Sequence, residues 1–283
     1  MNKPTNFKPV EDLVFSDDFM FGAIMRDEQT CKGVIERLLK IKIDHIEYPE
    51  LQKSLNSVYD KKGVRFDVYV ACSDKVFDVE IQSYTQKDIG KRMRYYQSMI
   101  DLDNLAKGHA YSELKESYIL FLCLQDPFDA GLPVYTFNRT CKESSDIDLQ
   151  DKTHHVIFNC DAFDKEEDAE LKAFLEYVKS NRTESEFTRR IADMVQSKKF
   201  EQSFLNEYMA IKLHEFDVKE RGRAEGFAKG EAKGIAIGME RGMAKGKTEK
   251  AIEVAQNLIK RGVPLEVVAE STGLSESYLS TLL

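Results

Sequence analysis

Two stretches of alternating residues between positions 64 and 82 constrain the fold of this 283-residue chain most strongly. Apolar and polar residues alternate through VRFDVYVA and again through KVFDVEIQ, a period that predicts two β-strands. A short turn centred on Ser73 and Asp74 would join these strands as an antiparallel hairpin. A turn of two or four residues puts Asp67 opposite Glu80, whereas an odd-length turn or a bulge would shift this pairing by one position.

The pairing of two acids across this hairpin is the second constraint. Because side chains alternate between the two faces of a strand, one face is predicted to carry Phe66, Val68, Phe77, Val79 and Ile81. The other face is predicted to carry Arg65, Asp67, Tyr69, Asp78, Glu80 and Gln82. Two opposed carboxylates with Cβ atoms about 5 Å apart repel each other, and a divalent cation between them would remove that repulsion. This polar face has no His or Cys, so Mg²⁺ or Mn²⁺ fits better than Zn²⁺. The alternative is an ordinary solvated face of mixed charge.

The remaining segments up to residue 183 predict a mixed sheet with helices on its faces. Apolar residues at helical spacings predict two helices within residues 11–40, with a break near 26–28, and a long helix over 88–108. Apolar runs predict further strands within 43–52, 117–126, 132–139 and 154–160, and a helix over 165–180. The predicted fold class is therefore α/β (α+β): a mixed central β-sheet flanked by helices, in a domain covering residues 1–183.

The net charge and the cysteine content indicate which binding partners and which cellular compartment to expect. The net charge is −8, so binding to nucleic acid would need a local basic patch. The sequence has no run of 18 apolar residues and no apolar segment near its start, so we expect neither a membrane span nor secretion. The five cysteines have no zinc-type spacing and are typical of reduced thiols in the cytoplasm.

The character of the chain changes after residue 183. Strand patterns stop, and residues 184–250 form a predicted helical extension with glycine at every fourth position. These glycines are Gly222, Gly226, Gly230, Gly234, Gly238, Gly242 and Gly246. Each glycine costs about 1 kcal/mol relative to alanine within a helix, but a stripe of small residues lets two helices approach closely. We expect either a surface through which the chain forms a homo-oligomer or contacts a partner helix, or a flexible charged linker.

Residues 251–283 predict a small helical segment. The stretch GVPLEVVAESTGLSESYLSTLL has a glycine, Gly273, between two helical patterns, and it resembles a helix-turn-helix. Few basic residues accompany it beyond Lys260 and Arg261. A helical hairpin that packs or pairs is therefore the alternative to a segment that binds DNA.

Three blocks of the sequence, in order, resemble the PD-(D/E)xK nuclease superfamily, specifically its recombination-promoting nuclease and transposase-like family. The block SDDFMFGAIM resembles the family's N-terminal Asp-x-x-Phe motif, with Asp18 and Phe21 at the matching positions. The block FDVYVACSDKVFDVEIQ resembles the core motif, an Asp followed on the next strand by Glu-x-Lys. Asp67 and Glu80 match this motif, and Gln82 stands where most members have Lys. The block beginning KRMRYYQSMI resembles the helix and buried strand that follow.

The resemblance implies a restriction-endonuclease-like core that cleaves phosphodiester bonds of double-stranded DNA with Mg²⁺ or Mn²⁺, in recombination or transposition. It implies that the carboxylates of Asp67 and Glu80 and the backbone carbonyl of Ile81 hold the metal. Asp18 and Gln82 complete the expected catalytic set.

Gln82 cannot supply the positive charge that a lysine would supply at this position, because an amide can hydrogen-bond water but carries no charge. Another residue would have to supply that charge. Arg65, expected opposite Gln82, is one candidate for a catalytic cation. Arg92 and Arg94 on the following helix are further candidates and are expected to bind DNA. The alternative for all three arginines is surface charge without a function. The alternative for the whole chain is a weak or inactive nuclease fold that binds DNA or self-assembles.

Overall fold

The computed structural model describes residues 7–43, 45–46, 50–51, 54–55, 63–84, 87–144 and 146–282. The chain divides into two compact units, one ending at Ala210 and the other beginning at Ile211. The described helices are α1 (Asp18–Met25), α2 (Glu28–Leu39), α3 (Ile89–Asn104), α4 (Ala169–Ser180), α5 (Glu186–Lys198), α6 (Gln202–Lys260), α7 (Leu265–Thr272) and α8 (Glu276–Leu279). The described strands are β1 (Glu50–Leu51), β2 (Ser54–Leu55), β3 (Val64–Arg65), β4 (Val68–Ala71), β5 (Lys75–Gln82), β6 (Glu116–Cys123), β7 (Val134–Phe137) and β8 (Thr153–Asn159).

The first unit is built on a mixed sheet, as the sequence predicts. Its six described strands run in the order β1-β4-β5-β6-β8-β7, and β2 and β3 form a separate two-stranded sheet. The pairs β5–β6 and β6–β8 are parallel, whereas β4 and β7 pair antiparallel to their neighbours. The α/β (α+β) prediction is confirmed. Of the strand predicted within 43–52, the structure describes β1, and residues 44, 47–49 and 52 lie outside the described residues.

The hairpin register is the one predicted. Cys72 donates its N–H to the carbonyl of Lys75 (2.7 Å), which closes a two-residue turn. Tyr69 pairs with Asp78 across β4 and β5, and Val68 pairs with Val79. Extended by one residue, this register brings Asp67 level with Glu80.

The first strand of the hairpin is not continuous, and this overturns part of the predicted face assignment. The chain bends at Asp67, between β3 and β4, and the ladder with β5 begins at Val68, so the predicted pairing of Arg65 with Gln82 is not formed. On its other edge Arg65 pairs with Ser54 of β2. Phe66 packs against Tyr96 of α3 (ring centroids 5.2 Å apart) and not with Val68 on the opposite face. The bend interrupts the side-chain alternation, which is why the simple period of two places Phe66 on the wrong face.

The polar face of β5 is buried, which excludes the solvated-face alternative. Strand β5 lies inside the sheet, and α3 packs over the face that carries its polar side chains. Asp78 and Glu80 are fully buried, and Gln82 is 8% exposed. The cluster on this side is otherwise apolar or aromatic and includes Val64, Phe66, Tyr69, Val76, Ile89, Met93, Tyr96, Met99, Ile100, Ile119, Phe121, Cys123, Tyr135 and Ile157.

The other helices of the first unit pack on one another. Helix α1 contacts α2 and α5, and α4 contacts α2 and α5. Aromatic rings join them: Phe15 lies against Phe21 and Phe174 with centroids 5.3 and 6.1 Å apart. The predicted break within residues 11–40 is confirmed, since α1 ends at Met25 and α2 begins at Glu28.

The described strands all precede residue 160, and the helical prediction for residues 184–250 is confirmed except for one break, between α5 and α6. In the second unit, Ala255 of α6, Val268 of α7 and Leu279 of α8 form a small buried core. Gly273 ends α7 with φ +70°, a left-handed conformation that glycine adopts without strain. The predicted helix-turn-helix arrangement is therefore present within residues 251–283.

Candidate active site

Asp67 and Glu80 converge, as the hairpin register predicts. The backbone N–H of Asp67 donates to Glu80 Oε1 (2.8 Å), and the backbone N–H of Ile81 donates to Asp67 Oδ2 (3.2 Å). Each carboxylate therefore reaches across the hairpin to the backbone beside the other. This reciprocal arrangement fixes both side chains on a rigid element, which a functional site requires.

The two carboxyl groups have raised pKa values. Burial raises the pKa of Glu80 to about 8, with a further contribution from the charge of Asp67, and Arg92 opposes this. Burial likewise raises the pKa of Asp67 to about 6, and the hydrogen bond from Ile81 opposes this. Burial destabilises the charged forms of both acids, and the charge of a neighbouring acid adds to this, Asp18 for Asp67 and Asp67 for Glu80. A nearby cation would therefore stabilise both carboxylates.

Arg92 of α3 is the nearest cationic partner that the structure gives to Glu80. Its Nη2 donates to Glu80 Oε2 (2.7 Å), and its Nη1 donates to Gln82 Oε1 (2.9 Å). Its Nε donates to the hydroxyl of Tyr96 (2.9 Å), so three side chains hold the guanidinium. These contacts place Arg92 beside Glu80 and Gln82, and its predicted binding to DNA stays a prediction.

Gln82 links this arginine to the backbone. Its Nε2 donates to the carbonyl of Ile81 (2.9 Å) while its Oε1 accepts from Arg92. The side chain at the position where the resemblance expects lysine is thus an ordered bridge between Ile81 and Arg92.

A cavity of about 790 Å³ opens beside these groups. Its lining residues are Asp18, Gly63, Val64, Arg65, Asp67, Ile81, Gln82, Ser83, Tyr84, Asp88, Lys91, Arg92, Tyr95 and Tyr96. Asp18, at the start of α1, is exposed, and its charge also raises the pKa of Asp67. Most of the predicted site residues therefore meet at one cavity, including Arg65 despite its different strand pairing.

Helix α3 separates its two predicted arginines. Arg94 is exposed and is not among the residues that line the cavity, whereas Lys91, which the sequence analysis does not select, lines it together with Arg92. Two residues along a helix correspond to a rotation of about 200°, so Arg92 and Arg94 could not share a face. The spacing of Asp88, Lys91, Arg92, Tyr95 and Tyr96 was the signal that could have identified the cavity-lining side of α3.

Asp78 is a third acid on the predicted polar face, and the sequence pattern assigns it no function. It is fully buried, and no described N–H or hydroxyl group donates to its carboxyl oxygens, but when protonated it can donate a hydrogen bond to the carboxylate of Glu80. Burial raises the pKa of Asp78 well above its usual value, and the charges of Glu80 and Asp67 add to this.

The donor set fits a hard divalent cation. No group of three or more His, Cys, Asp or Glu side chains suited to a metal occurs among the residues described. The donors here are two carboxylates and the carbonyl of Ile81, and Mg²⁺ often takes only one or two protein carboxylates. A carboxylate has about four acceptor sites, so the hydrogen bonds from Asp67 and Arg92 leave Glu80 with sites for a cation.

A mixed sheet whose central hairpin holds two carboxylates beside a cavity lined by cations is the arrangement expected of a nuclease-like core. The chain belongs to the family described as PD-(D/E)XK nuclease family transposase, whose model matches residues 9–229. Residues 248–283 match a second model, the C-terminal HTH domain of the Rpn/YhgA-like nuclease family. The predicted family and helix-turn-helix are thereby confirmed. No curated protein and no solved structure matches the chain.

The helices described in the structure include none that is long and apolar enough to cross a membrane.

Proposed function

We propose that the chain is an endonuclease that hydrolyses phosphodiester bonds of double-stranded DNA with Mg²⁺ or Mn²⁺, in recombination or transposition. The observation that carries this proposal is the convergence of Asp67 and Glu80, each hydrogen-bonded to the backbone beside the other. Membership of a nuclease family transposase model supports the same reaction class.

The site residues have separable roles in this proposal. Asp67, Glu80 and the carbonyl of Ile81 would hold the cation. When bound, the cation polarises the phosphoryl oxygen and acidifies the attacking water. Arg65 and Lys91 line the cavity and would attract the phosphate backbone, and Asp18 stands beside Asp67 at the cavity wall.

The C-terminal helix-turn-helix supports DNA as the partner, since this motif places a helix in the major groove. We expect the protein to act in the cytoplasm, on the evidence of its five free cysteines. Self-association through the glycine-repeat helix stays a prediction, as do the boundaries 1–183, 184–250 and 251–283 and direct DNA binding by Arg94.

The first prediction concerns the acid pair. Asp67→Asn or Glu80→Gln should lower the rate of plasmid nicking by ~100-fold or more, the scale typical for a group that stabilises developing charge. Nicking of supercoiled plasmid is followed on a gel with Mg²⁺, with Mn²⁺ and with a chelator. Glu113→Gln is the matched control, because Glu113 is exposed and pairs with His109 away from the cavity residues.

Undiminished nicking by both pure site variants would refute the proposal. A wild-type chain that retains DNA without metal and cuts it at no concentration of Mg²⁺ or Mn²⁺ would instead establish the alternative, a DNA-binding protein on an inactive nuclease fold.

A further inference from the structure

We propose that Arg92 is the catalytic cation of this site and that Gln82 is the residue that positions it. The pair would take the place of the single lysine that the core motif carries at position 82. This inference rests on the proposed nuclease function and adds to it the source of positive charge at the reacting phosphate.

The first support is how firmly the guanidinium is held. Nη1 contacts Gln82 Oε1 at 2.9 Å, and Nη2 contacts Glu80 Oε2 at 2.7 Å. Nε and Nη2 both donate to the hydroxyl of Tyr96, at 2.9 and 2.7 Å. The guanidinium carbon lies 5.0 Å from the ring centre of Tyr96 and 5.2 Å from that of Phe121, within cation–π range. A planar group fixed on several sides is preorganised, so little ordering is needed when substrate arrives.

The second support is where the charge lies. Gln82 Oε1 is at the tip of the side chain at position 82, and the Arg92 nitrogen is 2.9 Å beyond it. An ammonium group on a side chain at this position would occupy the same region. Arg92 also lines the cavity with Asp67 and Ile81, so its charge faces the space where a phosphate would be cut.

The third support is the chemistry of an amide at position 82. Gln82 accepts a hydrogen bond from Arg92 and donates one to the carbonyl of Ile81. Lysine has no acceptor and would put a second positive charge against the guanidinium. The structure therefore explains glutamine at this position as the complement of Arg92, because its amide accepts from the guanidinium and donates to the carbonyl of Ile81.

The other cationic side chains near the site lack such a fixed position. Arg65 is exposed on β3, and Arg94 is exposed and does not line the cavity. Lys91 lines the cavity, but it is exposed and its ammonium group pairs with Asp88 at 3.2 Å. Among the described residues, Arg92 is the cation whose contacts include both Glu80 and Gln82.

A charge-swap experiment tests the pair in the full-length protein. Arg92→Gln should lower kcat for plasmid nicking by ~100-fold with KM changed by less than ~3-fold, because it removes charge stabilisation that matters most in the transition state. Gln82→Lys alone should also lower kcat, since two cations then compete for one region. The double variant Gln82→Lys with Arg92→Gln should recover at least ~10-fold over Arg92→Gln, because lysine at position 82 then supplies the missing charge. Arg182→Gln is the control, since this arginine is exposed after α4.

Thermal unfolding and a neutral variant distinguish a catalytic role of Arg92 from a purely structural one. Gln82→Met removes the acceptor without adding charge, so it should lower kcat while the protein remains folded. Melting temperatures of wild type, Gln82→Met, Arg92→Gln and the double variant should be non-additive if the two side chains interact. This measurement needs no nuclease activity.

Wild-type kcat in Gln82→Lys or in Gln82→Met would overturn the inference. So would a double variant no more active than Arg92→Gln, or additive melting temperatures. In each of those cases the endonuclease proposal would stand, whereas a wild-type chain that does not cut DNA would overturn both.

Discussion

The acids at the hairpin differ from ordinary surface carboxylates because α3 removes them from water. Burial is the largest contribution to the raised pKa values of Asp67, Asp78 and Glu80, and the charges of neighbouring acids add to it. Only Glu80 has a close cationic partner among the contacts described, at 2.7 Å from Arg92. Asp78 accepts no hydrogen bond from a described donor and can itself donate one to Glu80 when protonated, so both burial and this bond favour its neutral form.

A stability measurement against pH tests this electrostatic description. An acid whose pKa is higher in the folded state keeps its proton where the unfolded chain has lost it, so stability falls as pH rises through that interval. The intervals run from 3.8 to about 6 for Asp67 and from 4.5 to about 8 for Glu80, and upward from 3.8 for Asp78. The free energy of unfolding of the cation-free protein should therefore decrease between pH 5 and pH 8.

Asp78→Asn should reduce that decrease without abolishing it, because Asp67 and Glu80 still titrate. Urea unfolding at pH 5, 6, 7 and 8 measures the slope, and Asp164→Asn is the control at an exposed acid. If Asp78→Asn leaves the slope unchanged, Asp78 does not have a raised pKa in the folded protein.

At the scale of elements, the sequence pattern predicted the features that depend only on neighbouring residues, such as the register of the hairpin. The two-residue turn at Ser73 and Asp74 fixed the register, so the convergence of Asp67 and Glu80 was predictable. The bend at Asp67 was not predictable, because the first predicted strand, residues 64–71, contains no glycine or proline to indicate it. The contact of Arg92 with Glu80 was also beyond local pattern, since it depends on how α3 docks on the sheet.

The glycine-repeat helix offers a prediction of its own. At Gly230 and Gly238 an added Cβ would meet no atom within 4 Å apart from the nearby backbone of the helix itself. Alanine at both positions should therefore increase helicity and stabilise the helix by about 1 kcal/mol per site. If the glycine stripe is a self-association surface, the same variant should reduce the oligomeric mass, because Cβ atoms would hold the helices apart.

Circular dichroism and light scattering measure the two effects on the same samples. Gly90→Ala in α3 is the matched control, since it also has open space around an added Cβ but lies outside the repeat. Raised helicity with an unchanged mass would contradict the self-association prediction and favour a linker.

At the scale of the whole molecule, the chain combines a nuclease-family region with a separate helix-turn-helix region. The family match over residues 9–229 contains every described strand, and the helix-turn-helix match begins at residue 248. Net charge −8 gives no general attraction to DNA. Affinity should therefore depend on local surfaces, and α8 is the expected recognition helix.

A substitution in α8 tests this division of roles. Tyr278 is 41% exposed beside the buried Leu279, so Tyr278→Glu adds a negative charge to the proposed DNA-facing side without opening the small core. Tyr278→Glu should weaken binding to duplex DNA by ~10-fold, the equivalent of about 1.4 kcal/mol. Fluorescence anisotropy measures this affinity in a buffer that contains Ca²⁺ in place of Mg²⁺ or Mn²⁺. Val218→Glu on α6 adds the same charge at an exposed position outside the helix-turn-helix match. Equal affinities for wild type and Tyr278→Glu would show that α8 does not contact DNA.

The most direct test of the central claim is to locate the cation itself. Crystals grown with Mn²⁺ should give an anomalous difference peak in contact with one oxygen of Asp67 and one of Glu80, at metal–oxygen distances of about 2.1 Å. The carbonyl of Ile81 should complete the protein ligands. A peak at some other place in the chain, or none at saturating Mn²⁺, would contradict a shared cation at this hairpin and with it the proposed nuclease mechanism.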